Sequence, residues 1–274
     1  MNKHIINRIM LLCCCLVTAC SKDVTPPDVI TKSGIFFYNG SYALSKQVFD
    51  NMGNSRNWLL IDNQDTAYQT IPSEIPALPC FSRSNPEVYP ASRGGWPILM
   101  PVATGTHTLL LTDTSGLVID KSSLNITTDV QTAVFYGDYF GKYKSLVLTD
   151  TYVPLQGSAG IRLVNLSPSE HPVYITIDKV IPAVLPAATK YGDHTPFLQL
   201  PLSRQDTLNI KVYREGDESK EILGRAQLTA MPGHAYTLVM TGYRTDGPTS
   251  YNDPRSGKTV MIQPNFQITV LKNY

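Results

Sequence analysis

The residues able to do chemistry are few and scattered. His171, Asp178, Asp193 and His194 could serve as metal ligands or as an acid–base set. No His-x-x-x-His or comparable pair occurs, so the four are expected as exposed turn residues. Asp62 and Asp65 form a carboxylate pair, but at a separation that misses the one-three-five spacing of a calcium loop. Cys80 has no histidine near it in sequence to act as its base, and is expected to be a buried structural thiol. The chain also lacks a P-loop, a Gly-x-Gly-x-x-Gly turn and a Gly-x-Ser-x-Gly elbow. The expectation is therefore a protein without catalytic residues, without a cofactor and without a metal.

Aromatic side chains offer a second kind of chemistry, the stacking of sugar rings. Trp58, Trp96, Tyr136, Tyr139, Phe140 and Tyr143 could build such a platform, although aromatic residues in strands belong first to a core. Trp96 stands apart, because Arg93-Gly94-Gly95-Trp96 lies at the edge of a long irregular stretch. Trp96, Arg93 and Tyr89 are the candidate ligand contacts.

The N-terminus carries the most specific signal. Lys3 and Arg8 precede an apolar run from Ile9 to Val17, and small residues lead to Cys20. This is the layout of an export signal. The run is too short to span a bilayer, which takes ~20 residues. Leu16-Val17-Thr18-Ala19-Cys20 resembles a bacterial lipobox. That resemblance implies cleavage after residue 19, lipid on Cys20 and a stable membrane anchor. Ser21 rather than Asp follows the cysteine, which favours an outer-membrane location in a Bacteroidota-type envelope. Residues 20–30, with Pro26-Pro27, read as a short stiff tether. Cys80 is then the one other cysteine left, so neither a disulfide framework nor a cysteine zinc site is expected.

Composition narrows the class further. Over 274 residues, 42% are hydrophobic, 16% are charged and the formal net charge is +1. That is enough apolar material for real cores, with no basic footprint for nucleic acid. The 15 Tyr, 20 Pro and 18 Gly suit β-structure with many turns. Strand-like runs cover 35–38, 58–62, 97–102, 106–112, 117–120, 124–128, 132–136 and 145–149. They recur at 160–165, 173–178, 197–201, 207–213, 221–230, 235–241 and 266–271. Residues 62–96 and 244–262 read as long loops. The elements that must position any site are thus strands, in an all-β fold.

The chain also repeats. Gly34-Ile35 runs to Asn39-Gly40-Ser41, and Gly160-Ile161 runs to Asn165-Leu166-Ser167. Aligning the turns matches Phe135-Tyr136-Gly137 with Met240-Thr241-Gly242, and Leu146–Thr149 with Ile268–Leu271. Two tandem copies are expected, at residues 31–155 and 156–274. The second copy resembles the domain of unknown function family 4397, through Ile161-Arg162-Leu163-Val164-Asn165-Leu166-Ser167-Pro168, Val173–Asp178 and Pro232-Gly233-His234-Ala235-Tyr236-Thr237-Leu238-Val239-Met240-Thr241-Gly242. In the first copy Pro101–Leu109 resembles the same family, while Asn39-Gly40-Ser41 replaces its Asn-x-Ser-Pro turn. The resemblance implies an immunoglobulin-like β-sandwich for each copy and brings no catalytic residues. The functional expectation is a non-catalytic binding, display or adhesion module, with a glycan or an envelope protein as partner. The alternatives are an envelope hydrolase with its site in 62–96 or between the domains, and a purely structural envelope subunit.

Overall fold

The computed structural model describes residues 33–50, 55–62, 79–91, 96–128 and 130–273. The export signal, Cys20, the tether, Asp65 and Arg93 lie outside the described residues. The fold is all-β, with one helix among the described residues. The first half holds β1 (Gly34–Asn39), α1 (Tyr42–Asp50), β2 (Arg56–Ile61), β3 (Cys80–Ser82), β4 (Val88–Tyr89) and β5 (Met100–Pro101). It continues with β6 (Gly105–Thr112), β7 (Val118–Ile126), β8 (Gln131–Tyr139) and β9 (Lys142–Asp150). The second half holds β10 (Ser158–Asn165), β11 (Val173–Ile177), β12 (Leu198–Pro201), β13 (Asp206–Arg214) and β14 (Ile222–Ala230). It ends with β15 (Ala235–Thr241), β16 (Ser250–Asn252), β17 (Thr259–Met261) and β18 (Gln267–Lys272).

The two halves order their strands alike. The first has a sheet β4-β1-β8-β9, with β5 also on β1, and a sheet β3-β2-β6-β7. The second has a sheet β12-β10-β15-β18, a sheet β11-β13-β14 and the small hairpin β16-β17. In each half the opening strand pairs parallel with a later one, β1 with β8 and β10 with β15. Matching backbone bonds follow. Gly34 N–H donates to Val130 O as Gly160 N–H does to His234 O, and Gly40 N–H donates to Tyr136 O as Leu166 N–H does to Met240 O. Asn39 Oδ1 accepts Ser41 N–H, and Asn165 Oδ1 accepts Ser167 N–H. Asp62 and Asp178 both take positive φ, 55° and 49°, and both clamp the next hairpin: Asp62 Oδ1 accepts Thr108 N–H, and Asp178 Oδ1 accepts Asn209 N–H. This register sets Tyr136 against Met240, one residue away from the alignment made on turns. Both opening glycines are forced by close approach. A Cβ on Gly34 would sit 2.7 Å from Leu99 Cβ, and one on Gly160 would sit 2.5 Å from the Tyr152 ring.

Four readings of the sequence need correction. Residues 79–91 of the long loop carry β3 and β4, strands too short to show a period. The runs 117–120 and 124–128 belong to one strand, β7 (Val118–Ile126), rather than two. Residues 244–262 contain the β16-β17 hairpin. The helix α1 gave no sequence signal strong enough to name: it is short, and it buries Leu44 and Val48 alone. It starts at Ser41, whose Oγ accepts Leu44 N–H in the manner of an N-cap.

Three cores result. Ile35, Phe37, Val134 and Tyr136 face the first half's own core, and Ile161, Leu163, Leu238 and Met240 face the second's. The alternate residues form a third core between the halves: Phe36, Tyr38, Ala133, Phe135 and Leu148 against Val164, Leu166, Val239 and Leu271. Strands buried on both faces read as unbroken apolar runs, which is why β1 and β10 stand out in the sequence.

One buried ion pair lies beside this third core. Arg162 of β10 pairs with Asp150 at the end of β9, both buried. Arg162 Nε–H donates to Thr237 Oγ1 at 3.0 Å, and the guanidinium lies 4.4 Å from the Phe197 ring centre and 5.8 Å from that of Phe135. Burial pushes the Asp150 carboxyl upward, and the Arg162 charge opposes that push. Removing one partner strands the other charge. Asp150→Ala should therefore lose about 3–5 kcal/mol of stability, and the double change Asp150→Leu/Arg162→Met markedly less. Denaturant unfolding of the two variants checks this; equal losses would mean that packing, not stranded charge, sets the penalty.

Candidate functional site

The opening strands of both halves finish at one end of the molecule, where a Cβ on Gly40 would touch Leu166 Cδ1 at 2.6 Å. An open cleft of about 360 Å³ lies there, within the usual range of ligand pockets. From the first half it takes Ser41, Tyr42, Lys46, Phe49 and Glu87, and from the second Thr241, Asn265 and Gln267. Local structure explains the supply. The Asn39 turn and the Ser41 cap start α1, which lays Tyr42, Lys46 and Phe49 along one wall. On the other side Asn265 Oδ1 accepts Tyr243 N–H at 2.8 Å, which fixes the loop after β15. Lys46 and Asp50 pair with each other at the exposed rim.

Below the cleft sits Asp138, buried on β8. Its Oδ2 accepts the Tyr243 hydroxyl at 2.9 Å and Gly141 N–H at 3.4 Å, and the Ser41 hydroxyl also donates to the carboxylate. Burial nevertheless holds its carboxyl above the ordinary carboxylate range. Burial, with the Asp138 charge, also pushes the Tyr243 phenol up, so Tyr243 remains a donor. Asp138 thus ties β8, the helix cap and the second half together.

An aromatic latch closes the same end. Phe140 occupies the tip of the β8–β9 turn with φ of 52°, a strained conformation for a bulky side chain. It stacks on Tyr243 (6.0 Å, 15°) and contacts Tyr251 and Tyr139, while Tyr139 reaches Tyr191 at 5.1 Å. Tyr42 meets Tyr243 edge-on at 6.1 Å. The six aromatic residues proposed as one platform are not together. Tyr136 is in the first core, Trp58 lies beneath Arg56 at 5.5 Å, and Tyr143 lies beneath Arg255 at 5.2 Å. Tyr139 and Phe140 reach this end, with Tyr143 across from Asp138 in the β8–β9 pair. Their partners Tyr191, Tyr243 and Tyr251 carried no spacing signal, because they lie in separate loops and strands of the other half.

The candidate ligand contacts also separate. Trp96 is half-buried, 5.8 Å from the His234 ring and 5.8 Å from Lys272 Nζ, on the second half. Tyr89 is 1% exposed and packs on Phe37, so its ring presents no face to solvent. Arg93 is outside the described residues. His171, Asp178, Asp193 and His194 are exposed, and among the described residues no cluster of three or more His, Cys, Asp or Glu could hold a metal. Asp178 clamps Asn209, Asp193 accepts Lys190 N–H, and His194 borders a hollow of about 350 Å³ beside Arg162. Cys80 is 8% exposed as expected, and burial raises its thiol pKa, so little thiolate forms.

Sequence reading missed one acid–histidine pair. His107 Nδ1 lies 2.6 Å from Asp62 Oδ2, and His107 Nε2 lies 2.8 Å from Ala103 O. A carbonyl only accepts, so Nε2 carries a proton, and the carboxylate facing Nδ1 favours the doubly protonated ring. With both nitrogens engaged it is a structural clip between the β2 turn and β6 rather than a free base. Partial burial disfavours the charged ring, but Asp62 and the Ala103 carbonyl outweigh it, and His107 titrates above its ordinary value. The hydrogen bond from His107, with Thr108 N–H, lowers Asp62.

No family model matches the chain, and no curated protein matches it. The resemblance to family 4397 therefore rests on the quoted residues alone. Among solved structures, one described as "Alpha-glucan recognition by family 41 carbohydrate-binding modules from streptococcal virulence factors" aligns over 82% of this chain and 99% of its own, at 11% identity and a TM-score of 0.25. A similarity of that size carries no argument about this chain.

Two outcomes are expected. Asp138→Ala should cost about 1–3 kcal/mol by stranding the Tyr243 and Ser41 hydroxyls, while Asp138→Asn, which keeps an acceptor and removes a buried charge, should cost less; denaturant unfolding compares them. The His107–Asp62 clip stabilises most between the unfolded values of about 4 for Asp and about 6.5 for His. The His contribution is lost as pH rises through the raised folded value, and the Asp contribution as pH falls through the lowered one. An NMR titration of His107 should give a midpoint above an ordinary histidine, returning toward it in Asp62→Asn; an unmoved midpoint would refute the clip.

Proposed function

We propose that this chain is a lipid-anchored, non-catalytic binding protein of the cell envelope, built from two tandem copies of an immunoglobulin-like β-sandwich. Residues 1–19 are the export signal, Cys20 bears the lipid in an outer membrane, residues 20–30 are the tether, and the copies span 31–155 and 156–274. The lipobox-like ending supports the anchor. The paired Asn turns and Asp clamps support a common ancestry of the two copies, and the shared strand order supports the sandwich.

The observation that carries the binding reading is the cleft built from both halves beside their shared core. Its walls offer ring faces at Tyr42 and Phe49 and polar side chains at Asn265 and Gln267. The buried carboxylate beneath is occupied by hydroxyl and amide donors that tie the halves together. Binding of glycans and envelope components to the chain from Ser21 onward tests the reading. Tyr42→Ala with Gln267→Ala should weaken the hit about tenfold or more, the equivalent of about 1.4 kcal/mol. Absence of any ligand, or affinity unchanged in the variant, sinks the cleft. Independently, Cys20→Ala should move the protein from the membrane to the soluble fraction; retention in the membrane would count against the anchor.

A further inference from the structure

The sheet β11-β13-β14 turns one face to the second core and the other outward. Ile175, Leu208, Ile210, Val212 and Leu228 point inward. On the outward face the register sets Tyr174 beside Tyr213, Thr176 beside Lys211, Lys211 beside Arg225, and Asn209 beside Gln227. Lys211 and Arg225 are therefore like charges directly across from each other, an arrangement that destabilises a sheet. Neither forms an ion pair among the described residues; nearby Arg214 faces Asp246 instead. The carboxylate of this face, Asp178, is taken by Asn209, whose N–H and Nδ2 both donate to its Oδ1 at 3.0 Å.

A hollow of about 400 Å³ covers the Lys211, Arg225, Asn209 and Gln227 positions. Two residues along β13 from Lys211, on the same face, Tyr213 stacks with Tyr174, ring centres 5.2 Å apart and 16° between planes. Gln227 Nε2 donates to Asn209 Oδ1 at 3.1 Å, which leaves the Gln227 carbonyl oxygen outward.

We infer that this face binds an acidic polysaccharide, with a carboxylate or sulfate on the Lys211–Arg225 pair. Sugar hydroxyls meet Gln227, and the tyrosine pair takes an apolar ring face. The unneutralised cations are what the free protein tolerates and the bound anion relieves. Nucleic acid fits less well: two cations on a chain of net charge +1 do not make the basic stripe that a phosphate backbone needs. The site lies on a different surface from the cleft and does not depend on it.

Calorimetric titration of the full chain in detergent tests the inference. Polygalacturonic acid and chondroitin sulfate are the acidic probes, with neutral dextran and single-stranded DNA as comparison polymers. At least one acidic glycan should bind, more weakly as salt rises. Lys211→Gln/Arg225→Gln should lose about tenfold or more in affinity, and Arg225→Lys less. The double variant should melt no lower than the parent, since it removes a repulsion. Failure of both acidic glycans, equal binding of dextran, DNA binding as tight as the glycans, or full affinity in a folded double variant would each overturn the assignment.

Discussion

The described fold is arranged around four strands that are buried on both faces. β1 and β8 on one side, and β10 and β15 on the other, bury their inward residues in separate cores and their outward residues against each other. Such strands can be apolar throughout, and any polar group among them must bring its own partner. Arg162 does so through Asp150, Thr237 and the ring of Phe197. Its place on β10 makes it an outward residue, so the alternation that buries Ile161 and Leu163 in the second half sets the guanidinium beside the shared core.

The polar features collect where these strands end. A strand buried on both faces leaves its last amide groups without a lateral partner, and side chains finish the job. Asn39 and Asn165 do this where β1 and β10 end, and Asp62 and Asp178 do the same where β2 and β11 end in the neighbouring sheets. Because Ser41 follows the first Asn turn, a helix can start there, and that helix builds one wall of the cleft. Asp138 and Tyr243 then join the halves directly below it. The strained turn at Phe140 is held by the same junction, since its ring stacks on Tyr243. The shared core joins the halves at this end, and the side chains that line the cleft sit on the helix and loops that protrude from it.

Strand positions were legible to the extent that burial was one-sided or complete. Val173–Ile177 and Asp206–Arg214 alternate, and β1 and β10 run apolar, so each announced itself. Strands of two or three residues, such as Val88–Tyr89 and Ser250–Asn252, are held by their neighbours and have no period of their own. Site residues were harder. Trp96 and Tyr89 looked available because they lie in an irregular stretch, yet one leans on the second half and the other belongs to the first core. The Asp62–His107 pair was invisible for the opposite reason: its members are 45 positions apart and meet only when β2 and β6 pair.

The sequence by itself determined the all-β class, the doubled Asn turns with their opening Gly-Ile, and the absence of a long apolar span after the N-terminal run. Those are properties of local chemistry: side-chain period, turn residues and close-packed glycines. The tertiary structure alone decided which side chains share a surface. It joined Asp150 to Arg162, gathered Tyr42, Phe140, Tyr191, Tyr243 and Tyr251 at one end, and placed Lys211 against Arg225 on an open face. These juxtapositions depend on strand register and on how two sheets face each other. Register is set by packing summed over many residues, so no short stretch of the chain records it.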